Sequence, residues 1–224
     1  MAQATTPKFA IIGLGNIGLA VAANVAKSKR PIIVVDRNPS KVQGLVARFG
    51  ATIQPMELGA AIKAADIILF AVHFDGVKEL FKQYASDLKG KMLIDPSNAI
   101  APDGKGGFVK IIGKKESAAQ ILAASLPAGA QLVKAFGTLI AGSLANKAYQ
   151  QPDEAVLFYA ADDKGVNPAI EALIHDSGFE PFNIGGIDQS IRIEAFGDLH
   201  ELGALGKTVT LAEVKAKVNV AAGV

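Results

Sequence analysis

Short apolar runs recur along the chain, separated by stretches in which apolar residues return every three or four positions. This alternation predicts strands interleaved with amphipathic helices. Residues 9–12, 31–35, 66–72, 91–95, 131–135, 155–160 and 179–183 read as buried strands, with a shorter one at Ala51-Thr52-Ile53. Helices are expected from Ile17 to about Ser28, from Pro39 to Gly50 behind an Asn38 cap, and over 57–65, 75–88, 116–126, 139–145 and 167–177. Runs that are apolar throughout suit strands covered on both faces, and strands joined by helices of this length run parallel. The expected fold is α/β: a Rossmann-type, doubly wound, mainly parallel sheet with helices on both faces. Residues 97–110, rich in glycine and polar side chains, read as a loop, either a surface connection or a cover over a ligand. From Asp188 onward Ile191, Ala195, Leu199 and Leu202 recur at helical spacing, interrupted by Gly197, Gly203 and Gly206. The chain therefore divides into a dinucleotide-binding domain over 1–187 and a C-terminal helical segment over 188–224, packed on that domain or on a dimer partner. The three glycines imply a break, close backbone packing, or both.

One junction carries chemistry. The first strand enters Gly13-Leu14-Gly15-Asn16-Ile17-Gly18 directly, and a helix follows. In this G-x-G-x-x-G turn Gly13 permits the tight bend, Gly15 lets the backbone approach a pyrophosphate, and Gly18 lets helix and strand pack closely. Asn16 and Ile17 open the helix whose N-terminal end attracts phosphate. The second strand ends on Asp36, about twenty residues on, where a carboxylate accepts adenosine ribose hydroxyls. Arg37 and Lys41 follow as the cations available to a 2′-phosphate. NAD(P)H is the expected cofactor.

Composition narrows the remaining classes. Among 224 residues, 23 basic and 21 acidic side chains leave a net charge of only +2, without a basic block, so nucleic acid is not an expected partner. There is no cysteine, and the three histidines show no ligand spacing, so no metal site is expected. No apolar run approaches the roughly 20 residues of a membrane helix, and the N-terminus lacks a signal-peptide pattern. A cytoplasmic protein with no membrane partner is expected.

In open α/β sheets ligands sit beyond the carboxyl ends of the strands. Besides the glycine turn and Asp36, those ends carry Val72, His73 and Phe74, then Ser97 and Asn98, then Phe136, Gly137 and Thr138. Val72, His73 and Asn98 are the candidates for the nicotinamide half of the cofactor. Phe74, Ser97, Phe136, Gly137 and Thr138 are the candidates for a small-molecule acceptor. His73 is the one histidine at a strand end and the candidate catalytic group, although a lone histidine more often serves as a structural hydrogen-bonder. His175 and His200 read as structural or surface residues, and Arg192 with Glu194 and Asp198 reads as an ion-pair network. There is neither a G-x-S-x-G elbow nor a lysine-bearing phosphate loop. This poverty of acids and bases suits hydride transfer between two cofactor-like partners.

The glycine turn, Asp95-Pro96-Ser97-Asn98, Glu116-Ser117-Ala118-Ala119, Val133-Lys134-Ala135-Phe136-Gly137-Thr138-Leu139, residues 157–163 and Gln189-Ser190-Ile191-Arg192-Ile193-Glu194 follow one another over nearly the full length. In that order they resemble the coenzyme F420-dependent NADP oxidoreductase family. The resemblance implies hydride transfer between a nicotinamide dinucleotide and a deazaflavin or flavin-like co-substrate, in a homodimer. The chain departs from that pattern in having Asp36-Arg37 where the family places Ser or Thr before Arg, His73-Phe74 in place of a Pro-Trp or similar pair, and Gly137 in place of Asn. A carboxylate about 4 Å from a 2′-phosphate would be opposed by ~4 kcal/mol at an effective dielectric of 20. NADH is therefore favoured unless Asp36 turns away and Arg37 with Lys41 takes the phosphate. The N-terminal third also resembles the β-hydroxyacid dehydrogenases, which is the enzymatic alternative. A non-catalytic NAD(P)(H)-binding redox sensor is the alternative of another class.

Overall fold

The computed structural model describes residues 6–217. Four short apolar segments, β1 (Phe9–Ile12), β2 (Ile32–Val35), β4 (Ile67–Phe70) and β5 (Met92–Asp95), form the centre of the sheet, with β3 (Ile53–Pro55) at one edge. Beyond β5 lie β8 (Gln131–Lys134), β9 (Val156–Ala161) and β10 (Glu180–Asn183). The eight-stranded order is β3-β2-β1-β4-β5-β8-β9-β10.

Side chains alternate across this sheet and make two cores. Phe9, Ile11, Val34, Leu69 and Ile94 pack under α1 (Asn16–Lys27), α2 (Pro39–Phe49), α6 (Ala141–Asn146) and α7 (Asn167–Asp176). Ala10, Ile33, Ile68 and Leu93 face α3 (Leu58–Ala64), α4 (Phe74–Gln83) and α5 (Ala118–Ala124). The Rossmann-type α/β fold read from the sequence is the fold observed. Local signals also hold: the Asn38 side chain accepts from Ser40 N at 3.0 Å and Pro39 opens α2.

Three elements differ from expectation. The first is direction: within the eight-stranded sheet all pairs are parallel except β8 with β9, so β9 and β10 run against the other six strands. The second is the segment 97–110, which is not a structureless loop. It holds a two-stranded antiparallel hairpin, β6 (Ile100–Pro102) and β7 (Phe108–Lys110). Its turn closes because Asp103 Oδ1 accepts from Lys105 N and Gly107 N while Gly104 and Gly106 take positive φ. The third is the C-terminal segment, where a 3₁₀ helix over Ile187–Ile193 and successive turns precede a short α8 (Leu211–Lys217). A Cβ at Gly197 would lie 2.3 Å from Arg192 O, and one at Gly203 would lie 1.7 Å from Gly197 O. The backbone folds on itself too tightly for an α-helix there. Ile193, Leu199, Val209 and Val214 of this segment pack on Val156, Phe158 and Ala160 of β9. The part of the expected C-terminal segment beyond residue 217 lies outside the described residues.

Candidate dinucleotide site and the strand ends beside it

The glycine turn separates into positions that the chain itself requires and one that it does not. Gly13 has φ +96° and lies against Ala71 O, while a Cβ on Gly18 would sit 2.0 Å from Gly13 O. Gly15 has φ −69°, and a Cβ there would meet nothing within 4 Å. Among the described residues nothing requires glycine at that position, which leaves the backbone there open to the close approach of a phosphate. Gly15 is also the N-cap of α1, and it provides no side-chain cap, so the amides of Asn16 and Ile17 begin a twelve-residue helix whose N-terminal end is open to an anion.

Asp36 closes the other side of the turn. Its Oδ2 accepts Leu14 N at 2.6 Å and its Oδ1 accepts Asn38 N at 2.7 Å. Burial opposes the carboxylate charge, but the amides of Asn38 and Leu14, with Lys41 and Arg37 nearby, outweigh it and hold the carboxyl below its usual value. The carboxylate is thus turned toward the glycine turn, with lone pairs to spare for ribose hydroxyls. Arg37 and Lys41 are exposed on the outer side. Val72 is half-buried, and its Cγ1 lies 2.9 Å from where a Cβ on Gly13 would be, which puts it beside the turn. These residues fit a dinucleotide.

At the strand ends next to it the structure sorts the remaining candidates. His73 is the exposed N-cap residue of α4. Phe74 is not available to an acceptor: it is only 6% exposed and joins Val77 and Phe81 on the buried face of α4. Phe136 is likewise removed, because φ +62° turns its ring into the core, where it is fully buried. Gly137 instead meets the neighbouring strand end, since a Cβ there would lie 2.4 Å from Pro96 O. Asn98 donates to Gly137 O at 3.0 Å and accepts Ala195 N at 2.7 Å, so its amide ties β5, β8 and the C-terminal segment together. Ser97 and Thr138 are buried, and neither hydroxyl oxygen has a partner among the described residues.

Beneath this seam lies a charged group that the sequence reading passed over. Lys134 is 1% exposed, with Asp95 Oδ2 at 2.7 Å, Ser97 O in hydrogen-bond contact and Glu194 Oε1 at 3.8 Å. Glu194 is therefore not part of the expected ion-pair network with Arg192. Among the described residues Arg192 pairs with Asp198 alone, at 2.8 Å, whereas Glu194 turns inward to accept Ala118 N, Ala119 N and Ser117 Oγ at the start of α5. A lysine at the end of an apolar strand was the available signal.

His200 is also buried, but in a turn rather than a helix. Its Nδ1 accepts Leu202 N at 2.9 Å, which leaves the proton on Nε2 to donate to Gly137 O at 3.0 Å. Burial lowers its pKa from the ordinary value, despite the opposing pull of Gly137 O and Glu201. Both ring nitrogens are thus committed.

Residues 8–99 match the family described as NADP oxidoreductase coenzyme F420-dependent. The matched segment runs from β1 through β5. Over 84% of its length the chain is 26% identical to the metalloreductase STEAP3 of Rattus norvegicus, of which it covers 36%. It spans only between a quarter and about a third of the curated relatives it matches. Among solved structures, a hypothetical protein from Sinorhizobium meliloti superposes with a TM-score of 0.78 at 29% identity, over 91% of this chain and 95% of that one. A protein of Arthrobacter sp. FB24, named provisionally as an F420-dependent NADP-reductase, gives 0.69 at 16% identity, over 82% and 87%, a likeness of fold. The family match, together with the turn and Asp36, supports an NAD(P)-binding oxidoreductase unit. No helix among the described residues is long and apolar enough to cross a membrane.

Proposed function

We propose that the chain is an NADH-preferring reductase that delivers hydride to a flat, flavin-like acceptor such as a deazaflavin or a flavin. When bound, the reduced nicotinamide supplies that hydride. The chain's own residues hold and align the two partners. The glycine turn and the α1 N-terminus would carry the pyrophosphate, Asp36 the ribose, and Val72, His73 and Asn98 border the nicotinamide end.

The observation that carries the reading is that the buried titratable groups at the seam, Lys134 and His200, are both committed to partners among the described residues. Lys134 is enclosed by Asp95, Ser97 O and Glu194, and both nitrogens of His200 are bonded. A β-hydroxyacid dehydrogenase needs an acid or base at the carbinol carbon, whereas a flavin-like ring takes hydride without a protein proton. The exposed apolar side chains at the seam suit a flat ring. Phe196 has φ +72°, a strained setting for a non-glycine residue, and follows Ala195, whose amide is bonded to Asn98. It is 49% exposed, with Leu202 and Ile140 also exposed and joined through Glu201, which accepts Ile140 N. The unpartnered hydroxyls of Ser97 and Thr138 add polar atoms that something outside the chain would complete.

The test is NADH oxidation with a deazaflavin, FMN or a ferric chelate, the last because one relative is named a metalloreductase. Turnover with a flavin-like acceptor that falls at least tenfold in Phe196→Ala, with NADH affinity unchanged, supports the reading. Tight NADH binding without turnover on any acceptor supports the redox-sensor alternative instead.

A further inference from the structure

Outside the dinucleotide site, three side chains with metal-ligating atoms converge from separate elements. Glu154 precedes β9, Glu180 opens β10, and His175 stands in the last turn of α7. One ligand atom from each lies within 4.8 Å of the other two. Ligands of a tetrahedral first-row metal about 2.1 Å away are about 3.4 Å apart, so the present spacing of up to 4.8 Å is at most about 1.4 Å wider than a bound ion would need.

The backbone that carries them is fixed. Glu180 N donates to Ala155 O at 3.0 Å, which brings the two strand starts together, and Gly178, with φ +80°, turns the chain from His175 to Glu180 while its amide donates to His175 O at 2.9 Å. Two neighbouring carboxylates repel each other unless a cation lies between them. The nearby Asp176 has such a partner in Arg30 at 2.8 Å, whereas no ion pair or hydrogen bond among the described residues engages the side chains of Glu154, His175 or Glu180. Glu154 and Glu180 also line, with Asp153 and Leu211, a cavity of about 370 Å³ through which an ion and its waters could enter.

We infer that Glu154, His175 and Glu180 form a divalent transition-metal site that clasps the end of α7 to the starts of β9 and β10. An imidazole with two carboxylates suits Zn²⁺ or Mn²⁺, since Ca²⁺ and Mg²⁺ draw on oxygen ligands and would not use His175. No metal site is expected from the sequence because the chain has no cysteine and its three histidines show no ligand spacing; the pairing of β9 with β10 is what brings Glu154, His175 and Glu180 together. The inference is independent of the proposed reductase activity.

The test is calorimetric titration of the EDTA-treated full chain with ZnCl₂ and MnCl₂, and with CaCl₂ and MgCl₂ for comparison. One Zn²⁺ per chain is expected, bound at least tenfold more weakly in both His175→Ala and Glu180→Gln, with a Zn²⁺-dependent rise in Tm in the parent only. NADH affinity, unchanged in both variants, reports that they are folded. Absence of Zn²⁺ binding, binding unaffected by His175→Ala, or Ca²⁺ binding as tight as Zn²⁺ would each overturn the inference.

Discussion

The carboxylate of Asp36 accepts the amide of Leu14 at 2.6 Å, so the end of β2 and the glycine turn after β1 form one hydrogen-bonded unit. On the reading proposed above, coenzyme choice should follow from that bond. A 2′-phosphate on the adenosine ribose would meet a carboxylate that cannot swing outward without giving up Leu14 N, and the repulsion at about 4 Å is ~4 kcal/mol at an effective dielectric of 20.

Asp36→Ser removes the charge and leaves the exposed cations Arg37 and Lys41, whose charges already act on position 36. The ratio of NADPH to NADH affinity should rise at least tenfold, measured by fluorescence titration of each coenzyme. An unchanged ratio would remove Asp36 from the ribose site.

The glycines of the turn should divide by phenotype. Gly18→Ala drives a Cβ to 2.0 Å from Gly13 O, a backbone atom that cannot rotate away, and overpacking of this kind costs about 1–3 kcal/mol. Gly15→Ala meets no atom of the chain and has an ordinary φ, so its urea midpoint should match the parent's while coenzyme affinity falls at least tenfold. Equal stability losses in the two variants would contradict the assignment of Gly15 to the phosphate.

The legible parts of this molecule are those set by neighbours in sequence. Periodicity and the glycine turn locate β1, β2, β4 and β5 and their helices, and Asn38-Pro39 marks the start of α2, because those signals are local; β3 instead starts at Ile53, since Gly50–Thr52 of the expected stretch form a 3₁₀ turn. The direction of β9 was not legible: the connection from β8 contains the short helix α6 and so looks like one more parallel crossover, yet Val133 pairs antiparallel with Ala161. Nor could spacing reveal that Glu194 reaches Lys134, sixty residues earlier, or that Phe136 turns inward. Both outcomes depend on how strand ends and the C-terminal turns meet in space. The hairpin over β6 and β7 escaped because its glycines look the same in a loop as in a turn closed by Asp103.

Lys134 should be the residue most costly to neutralise. Lys134→Met leaves Asp95 and Glu194, both almost fully buried, without their cation, and breaking a buried pair from one side costs about 3–5 kcal/mol. Urea denaturation should show a loss of that size. A loss under about 1 kcal/mol would mean that the charges are not held as described.

His200 should give the fold a pH dependence well above the carboxylate range. The buried ring is bonded as a neutral tautomer, so adding a proton to Nδ1 would set it against the Leu202 amide, two donors facing each other. Its folded-state pKa lies below the ordinary 6.5. The unfolded chain therefore binds more protons than the folded one as pH falls below 6.5, and the stability present above that pH is lost toward the folded-state value, with a slope of at most ~1.4 kcal/mol per pH unit for one proton. Asp36, whose carboxyl is also lowered, adds its own loss only below about pH 4, so the two windows separate. Tm measured between pH 8 and pH 5 should fall in the parent. In His200→Gln it should start lower, because the fit of the ring between Gly137 and Leu202 is lost, but vary less with pH over the same interval. A variant with the parent's full pH slope would place the titrating group elsewhere than at His200.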